Sequence, residues 1–288
     1  MEIKKTKFAI FILTFGRPEK VTTKKTLRTC GYTGEIYLVC STDDKSIKQY
    51  QNLHENVNVF DKNDYENKFD ICDNFDKKNV VVYARNACFD IAKKLGYTYF
   101  IVLDDDYTSF RYAVGKDFAY ITKNTLIRNL DTIFELYMEY YKSLPERVKT
   151  LAFAQGGDFI GGSASNVWKN QLNRKAMNAF FLSTERRFDF IGRINEDVNT
   201  YVEGGARGEI YFTPAWIRLE QQSTQLNSGG LSEFYLDTGT YLKSFYTVMA
   251  APSCTSIRLM GCSNMRLHHN INWNAATALI LNEKYKKK

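Results

Sequence analysis

Short apolar runs alternate with amphipathic segments through the first 110 residues of the chain. Apolar runs of this length are typical of strands buried on both faces, and the segments between them have helical spacing. The pattern predicts strands at residues 8–14, 35–41, 56–60 and 97–103, with helices at 19–30 and 83–95. This alternation favours an α/β fold with a mostly parallel sheet, covered by helices on both faces, whose ligands bind at the carboxyl ends of the strands.

The pattern changes after residue 110, where it predicts helices mixed with antiparallel strands. We expect extended segments at 107–112, 150–159, 178–183 and 256–269, a strand pair at 209–220 interrupted by Pro214, and helices at 123–143, 195–203 and 241–250. No repeat or linker divides the sequence, so one domain covering residues 1–288 is expected.

The composition excludes some classes of protein but does not identify the function. The 288 residues are 44% hydrophobic, which is typical of a globular chain and excludes a disordered one. The formal charge of +7 favours an anionic partner such as a nucleotide or a nucleic acid. The six cysteines form no CxxC pair, and no export signal or membrane span is evident, so free thiols and a cytoplasmic location are expected.

Three consecutive aspartates, Asp104, Asp105 and Asp106, directly follow the fourth apolar strand. Because successive strand residues face opposite ways, Asp104 and Asp106 can point to one side together. A Mg²⁺ or Mn²⁺ ion that bridges a diphosphate needs such carboxylates. The alternative is a solvated turn or a helix cap.

Two further groups could take part in chemistry. Glu196 and Asp197 fall in the first turn of a predicted helix, where one of them could be a general base, although acids there also serve as plain caps. His268 and His269 could complete a metal site begun by the aspartates and would favour Mn²⁺, or they could be purely structural.

The other strand ends carry groups suited to a nucleotide. Thr14, Phe15, Gly16 and Arg17 offer an aromatic face, a tight turn and a cation after the first strand, and the stretch around Asp43 offers hydroxyls and carboxylates after the second. Arg85 opens the helix before the acidic strand, where its guanidinium could clamp a phosphate or form a surface ion pair.

Taken together, the first strand Ile-Leu-Thr-Phe-Gly-Arg-Pro, Ala-Arg-Asn at 84–86, Leu-Asp-Asp-Asp at 103–106, Asn-Glu-Asp-Val-Asn at 195–199 and the late histidines resemble a GT-A glycosyltransferase. More narrowly, the chain resembles the phage and kinetoplastid DNA-base glycosyltransferases, related to the enzyme that finishes base J, which add a sugar to hydroxymethylated pyrimidines. The resemblance extends from about residue 8 to residue 269.

This resemblance implies a UDP-sugar donor, a Mn²⁺ or Mg²⁺ cofactor, an inverting reaction and DNA carrying 5-hydroxymethyluracil or 5-hydroxymethylcytosine as acceptor. It implies a nucleotide-sugar half at 1–110 and an acceptor-binding, catalytic half at 111–288. The implied roles are metal binding by Asp104 and Asp106 with His268 or His269, proton abstraction by Asp197 beside Glu196, and donor binding by Thr14, Phe15, Gly16, Arg17, Asp43, Arg85, Asp104 and Asp105.

Three alternatives stay open. A GT-A enzyme could act on a glycan, a lipid carrier or a protein, and would then need no basic surface. A sugar nucleotidyltransferase is disfavoured because the expected Gly-rich phosphate loop after the first strand is not evident. A non-catalytic nucleic-acid-binding protein would use the acidic residues only as caps.

Overall fold

The computed structural model describes residues 6–76, 78–121, 125–168, 175–177, 179–221, 231–260 and 265–276, with only the backbone described for 231–240 and 266. Twelve strands lie within these ranges: β1 Phe8–Leu13, β2 Ile36–Ser41, β3 Val57–Phe60, β4 Tyr99–Asp104, β5 Tyr107–Tyr112, β6 Val148–Ala152, β7 Ala154–Gln155, β8 Phe180–Ser183, β9 Ile210–Phe212, β10 Ile217–Gln221, β11 Thr255–Met260 and β12 Arg266–Ile271. The α-helices are α1 Thr22–Thr29, α2 Ile47–Leu53, α3 Val82–Lys94, α4 Leu130–Ser143, α5 Glu196–Ala206 and α6 Leu231–Ala250.

A seven-stranded sheet forms the centre of the fold, in the order β3-β2-β1-β4-β8-β6-β9. The pairs of β1 with β2 and β4, of β2 with β3, and of β6 with β9 are parallel, whereas β8 runs antiparallel to both of its neighbours. The predicted α/β class with a mostly parallel sheet is therefore confirmed. Three strands of this sheet come from the second half of the chain, so the sheet joins both halves.

The alternation of side chains along the sheet fills two apolar cores, one on each face. On β1, Phe11 packs with the core that includes Val82 and Phe89 of α3, whereas Ile12 packs with the core that includes Leu27 of α1 and Phe134 of α4. Both faces are thus covered by helices, which explains why the central strands read as continuous apolar runs.

The second half adds smaller sheets beside the central one, as its mixed pattern predicted. Strands β5, β10 and β7 form a three-stranded sheet, in which β10 is antiparallel to β5 and parallel to β7. Strands β11 and β12 form an antiparallel hairpin that packs against α6.

Some predicted bounds are wrong for identifiable reasons. The helix expected over 123–143 begins only at Leu130, because the chain before it pairs with β5: the Tyr112 amide donates to the Thr125 carbonyl at 3.0 Å and the Ile127 amide to the Phe110 carbonyl at 2.9 Å. Residues 122–124 lie outside the described ranges. The strand expected over 150–159 divides between two sheets as β6 and β7, and ends where Gly156–Phe159 forms a 3-10 turn.

Two sequence expectations concern the whole chain. The five cysteines within the described ranges are free thiols, and Cys262 lies outside those ranges. No helix in the part of the chain that the structure describes is both long enough and apolar enough to cross a membrane.

Candidate active site

The carboxyl ends of the parallel strands bring the predicted donor-side residues to one edge of the sheet. Thr14 follows β1, Asp43 follows β2, and Asp104 is the last residue of β4. The Thr14 hydroxyl donates to Asp105 Oδ2 at 2.7 Å and lies 2.9 Å from the Tyr50 hydroxyl. A direct hydrogen bond therefore joins the end of β1 to the acidic turn after β4.

The three aspartates of that turn have different environments. Asp105 is buried, at 3% exposure, and its carboxylate also accepts an ion pair from Arg17 Nη2 at 3.0 Å. Burial raises the pKa of Asp105 to about 6, against the opposing effect of Arg17 and Thr14. Asp104 and Asp106 are only partly buried. The turn therefore holds one buried carboxylate, Asp105, beside two carboxylates that are nearer to solvent.

Asp104 and Asp106 fit the donor set of a hard divalent cation. The pKa of Asp106 is raised to about 6, first by burial and then by the negative charges of Asp104 and Asp105, so a cation between the carboxylates would relieve both effects. Within the described ranges, no group of three or more His, Cys, Asp and Glu side chains is arranged to hold a metal ion. These two carboxylates would therefore need further ligands from outside that set, such as phosphate oxygens and water.

The predicted histidine ligands lie on the β11–β12 hairpin. The Nδ1 atom of His269 is buried and has no hydrogen-bond partner. Burial lowers the pKa of His269 to about 4, helped by His268, Lys243 and Lys175, so its imidazole is neutral near pH 7 and able to bind a metal ion. The structure does not bring the two histidines into one cluster with Asp104 and Asp106.

Arg85 connects the acidic turn to the second acidic pair. It lies on α3, is 3% exposed, and donates from Nε to Glu196 Oε1 at 2.8 Å and from Nη2 to Asp104 Oδ1 at 3.4 Å. Its guanidinium carbon stands 5.0 Å from the centroid of the Phe180 ring. Arg85 was predicted to lie near ribose or phosphates, and in the structure two carboxylates occupy its guanidinium, with only Nη1 left without a partner.

Glu196 and Asp197 form the first turn of α5, as predicted, and both are buried. The pKa of each is raised, mainly by burial, and Arg85 opposes the shift for both carboxyls. Glu196 is engaged by Arg85, whereas Asp197 forms no ion pair with any side chain in the described ranges and accepts a hydrogen bond from the Val198 amide at 2.8 Å. Lys243 and Lys175 lie close enough to favour the ionised form of Asp197.

The residue before this pair holds the start of α5 in an uncommon conformation. Asn195 is a left-handed residue with φ 53° and ψ 40°, and its side-chain amide donates to the Lys243 carbonyl at 2.8 Å and to the Thr247 hydroxyl at 3.1 Å. Asparagine tolerates this region better than most residues. These bonds tie the acidic turn of α5 to α6.

A buried ion pair fixes the loop that leads into α5. The Arg193 guanidinium contacts both oxygens of Asp73, at 2.9 and 3.1 Å from Nε, and donates to the Phe75 carbonyl. The Tyr246 hydroxyl bonds to Asp73 and lies 3.0 Å from the Arg193 amide, which donates to it. The sequence contains no sign of this network, because Asp73 is 120 positions from Arg193 and 173 from Tyr246, and none of the three stands in a recognisable motif.

Three further residues organise the donor-side edge: Asp44, which belongs to the predicted polar stretch around Asp43, and Tyr50 and Lys62, which were not predicted. Asp44, next to the predicted Asp43, accepts from the Gly16 amide at 2.7 Å, and the Tyr50 hydroxyl accepts from the Arg17 amide at 2.8 Å. Lys62 pairs with Asp43 at 2.8 Å and lies over the Phe15 ring. The polar stretch 41–44 at the end of the second strand had indicated Asp44, whereas no pattern in the sequence indicated Tyr50 or Lys62.

Comparisons with known proteins place the chain among sugar-transferring enzymes. A sequence model described as TET-associated glycosyltransferase matches residues 8–230. A search of curated protein sequences finds no match. Similar solved structures include a mannosyltransferase from Pyrobaculum calidifontis in complex with GDP-mannose and Mn²⁺, at 9% identity and a TM-score of 0.45 over 87% of this chain and 74% of that one.

A second similar structure is glucosyl-3-phosphoglycerate synthase from Mycobacterium tuberculosis, in complex with Mn²⁺, UDP and glucosyl-3-phosphoglycerate. It is 8% identical, with a TM-score of 0.46 over 96% of this chain and 89% of that one. Sequence identities this low do not allow the role of a residue in those proteins to be assigned to a residue of this chain.

Proposed function

We propose, on the premise that the chain belongs to the TET-associated glycosyltransferase family, that it moves a sugar from a UDP-sugar to the hydroxymethyl group of a modified pyrimidine in DNA. The chain is a glycosyltransferase, and its mostly parallel α/β sheet is of the GT-A class. The observation that carries the proposal is the link from Asp104 through Arg85 to Glu196, because it places a donor-side carboxylate next to a buried acid pair.

The donor would bind at the carboxyl ends of the parallel strands. The nucleotide would be surrounded by Thr14, Phe15, Gly16, Arg17 and Asp43. In this assignment, residues 1–288 form a single domain, in which 1–110 bind the donor and 111–288 bind the acceptor. Asp104 and Asp106 would hold Mn²⁺ or Mg²⁺, with phosphate oxygens and water as further ligands. The ligand role expected for His268 or His269 gains no support, because neither forms one cluster with these carboxylates. The ion would supply charge neutralisation for the departing diphosphate.

Asp197 is the group that we assign to proton abstraction. A general base must be ionised and able to reach the acceptor hydroxyl. Glu196 is occupied by Arg85, whereas Asp197 is the member of the pair without an ion-pair partner in the described ranges. Attack by the acceptor oxygen, as Asp197 takes its proton, would come from the face opposite the leaving diphosphate and would invert the anomeric centre.

Arg85 would act on both carboxylates at once. Its charge favours the ionised forms of Glu196 and Asp197 and so opposes the effect of burial, which still raises the pKa of each above its ordinary value. Its contact with Asp104 fixes the orientation of a proposed metal ligand relative to the proposed base. We therefore treat Arg85 as a positioning residue.

A DNA acceptor is supported by charge and by the family description. The chain carries a net charge of +7, and Lys175 and Lys243 lie near Asp197 on the proposed acceptor side. Cations at that place favour a polyanionic acceptor. A base within a duplex would have to leave the stack for its hydroxymethyl group to reach Asp197.

The test compares acceptors that differ by one hydroxyl group. The purified protein, Mn²⁺ and a panel of UDP-sugars are mixed with duplex DNA containing 5-hydroxymethyluracil, or with the same duplex containing thymine, and the release of UDP is followed. We expect the hydroxymethylated duplex alone to stimulate release, and Asp197→Asn to abolish that stimulation. Equal release with both duplexes would reject the DNA acceptor and favour a glycan, lipid or protein; no release with any donor would reject the enzyme.

A further inference from the structure

One residue of α1, Thr23, holds the backbone of the acidic turn between β4 and β5. The Thr23 hydroxyl donates to the Asp104 carbonyl at 2.6 Å and accepts from the Tyr107 amide at 2.9 Å. The Thr23 amide donates to the Asp105 carbonyl at 3.1 Å. Thr23 is fully buried, at 0% exposure. It therefore binds the backbone of three of the four residues from Asp104 to Tyr107.

The position of Thr23 at the start of α1 explains why its amide is available. The first amides of a helix have no partner within that helix. The helix begins at Thr22, and Val21 at its N-cap provides no side-chain hydrogen bond, so the Thr23 amide takes its partner from the acidic turn. A helix N-terminus also carries a partial positive charge, which is favourable next to three carboxylates.

Thr26 extends this contact by one turn of the helix. Its hydroxyl donates to the Tyr107 carbonyl at 2.9 Å, and the residue is 8% exposed. Residues three positions apart lie on the same face of a helix, so Thr23 and Thr26 reach the same segment of chain. Between them they bind both the amide and the carbonyl of Tyr107 and thereby fix the first residue of β5.

These hydrogen bonds lie on both sides of Asp106. The peptide group before Asp106 is bound through the Asp105 carbonyl, and the peptide group after it is bound through the Tyr107 amide, each by Thr23. The carboxylates of the turn repel one another, and the charges of Asp104 and Asp105 help to raise the pKa of Asp106. A backbone held on both sides keeps the Asp106 carboxylate in place against this repulsion.

We infer that Thr23, assisted by Thr26, is a positioning residue that sets the affinity of the metal site, because its hydrogen bonds hold the backbone that directs Asp104 and Asp106 to one divalent cation. The inference rests on the proposed function, since the cation is the one proposed for the same site. Residues that orient metal ligands without touching the ion commonly change metal affinity by about tenfold to a hundredfold when they are replaced.

Binding of Mn²⁺ tests this without any sugar transfer. MnCl₂ is titrated into the full chain with saturating UDP, free Mn²⁺ is followed by electron paramagnetic resonance, and the stability of each variant is measured by urea unfolding. Thr23→Val replaces the hydroxyl with a methyl group, and we expect it to raise the Kd for Mn²⁺ by about tenfold or more. Thr23→Ser keeps the hydroxyl and should keep a Kd close to that of the wild type.

Thr150→Val is the matched control. Thr150 is also 0% exposed, and its hydroxyl lies 2.9 Å from the carbonyls of Leu151 and Phe181, within the central sheet. This variant loses a buried bond from a hydroxyl to the backbone, so it should lose stability and keep the wild-type Kd for Mn²⁺. Thr26→Val carries the test if Thr23→Val fails to fold; it removes the bond to the Tyr107 carbonyl and should raise the Kd by a smaller factor.

The outcomes separate the two hypotheses. A wild-type Kd for Mn²⁺ in Thr23→Val, or in Thr26→Val where Thr23→Val does not fold, would overturn the positioning role and leave the glycosyltransferase proposal intact. An equal rise of the Kd in Thr150→Val, or in Thr23→Ser, would also overturn it, because the Thr23 hydroxyl would then not be the cause. Failure of the wild-type protein to bind Mn²⁺ in the presence of UDP would count against the proposed function itself.

Discussion

Arg193→Met should strongly destabilise the protein, because it removes the cation from a buried ion pair. The side chains of Arg193 and Asp73 are 3% and 7% exposed, and Nε lies within 3.1 Å of both carboxylate oxygens. Breaking a buried pair from one side leaves an uncompensated charge, which costs about 3–5 kcal/mol. Methionine keeps much of the side-chain length, so the loss is mainly electrostatic.

The assay is urea-induced unfolding at pH 7, followed by circular dichroism. Arg187→Met is the matched control: Arg187 pairs with Asp90 and Asp189, but its side chain is 38% exposed, so its loss should cost less than about 1 kcal/mol. In the double variant Arg193→Met with Asp73→Asn, the buried charge is also removed, so the double variant should cost less than the sum of the two single changes.

Two results would refute this reasoning. One is a cost for Arg193→Met no larger than that for Arg187→Met. The other is strict additivity of Arg193→Met and Asp73→Asn, which would mean that the two side chains do not depend on each other despite their contact.

Three further predictions concern the site itself. Burial raises the pKa of both Glu196 and Asp197, and the general base must be ionised to act. We therefore expect kcat/KM to rise with pH through an apparent pKa above the ordinary carboxylate value of about 4. A rise through an apparent pKa at or below about 4 would contradict the assignment. Asn195→Ala should lower the free energy of unfolding, measured in urea, by about 1–3 kcal/mol, because alanine is disfavoured at φ 53° and the side-chain hydrogen bonds to α6 are lost. Asn195→Gly should cost less, because glycine tolerates this backbone conformation. An equal cost for both variants would mean that the left-handed conformation does not matter at this position. Asp104→Ala with Asp106→Ala should lower Mn²⁺-dependent UDP release by about a hundredfold or more, because both proposed metal ligands are lost; full activity would remove the metal assignment.

The sequence predicted those parts of the site that follow directly from local pattern. Asp104 ends an apolar strand and Glu196 begins a helix, and both placements are confirmed because strand ends and helix starts are local features. Asp105 is more buried than Asp104 and Asp106, but strand alternation is not the reason, because Asp105 and Asp106 lie in the turn between β4 and β5.

The contacts between distant segments could not be predicted in this way. Arg85 meets Glu196 across 111 positions of the sequence, and Arg193 meets Asp73 across 120. Which carboxylate pairs with a given arginine depends on the three-dimensional fold and not on the local sequence. The sequence placed Arg85 correctly near this edge of the sheet, and a phosphate was therefore predicted as its partner. It could not show that the carboxylates of Glu196 and Asp104 already pair with the guanidinium.

Helical periodicity alone also failed at one boundary. Leu126 fits the apolar spacing of a longer α4, yet it bridges Arg111 of β5 in the structure. Tertiary pairing with a strand outweighs local helix propensity there. The prediction of 123–143 as one helix was wrong for that reason.

The most direct measurement of the central claim is the mass of the product nucleoside. The protein is incubated with Mn²⁺, UDP-sugars and duplex DNA containing 5-hydroxymethyluracil or 5-hydroxymethylcytosine, the DNA is digested to nucleosides, and the masses are read by mass spectrometry. We expect a hydroxymethylpyrimidine nucleoside that is heavier by one sugar residue, and we expect it to be absent when the Asp197→Ala variant replaces the wild type. Hydroxymethylated nucleosides of unchanged mass with every donor, from a protein that binds UDP, would contradict transfer to DNA.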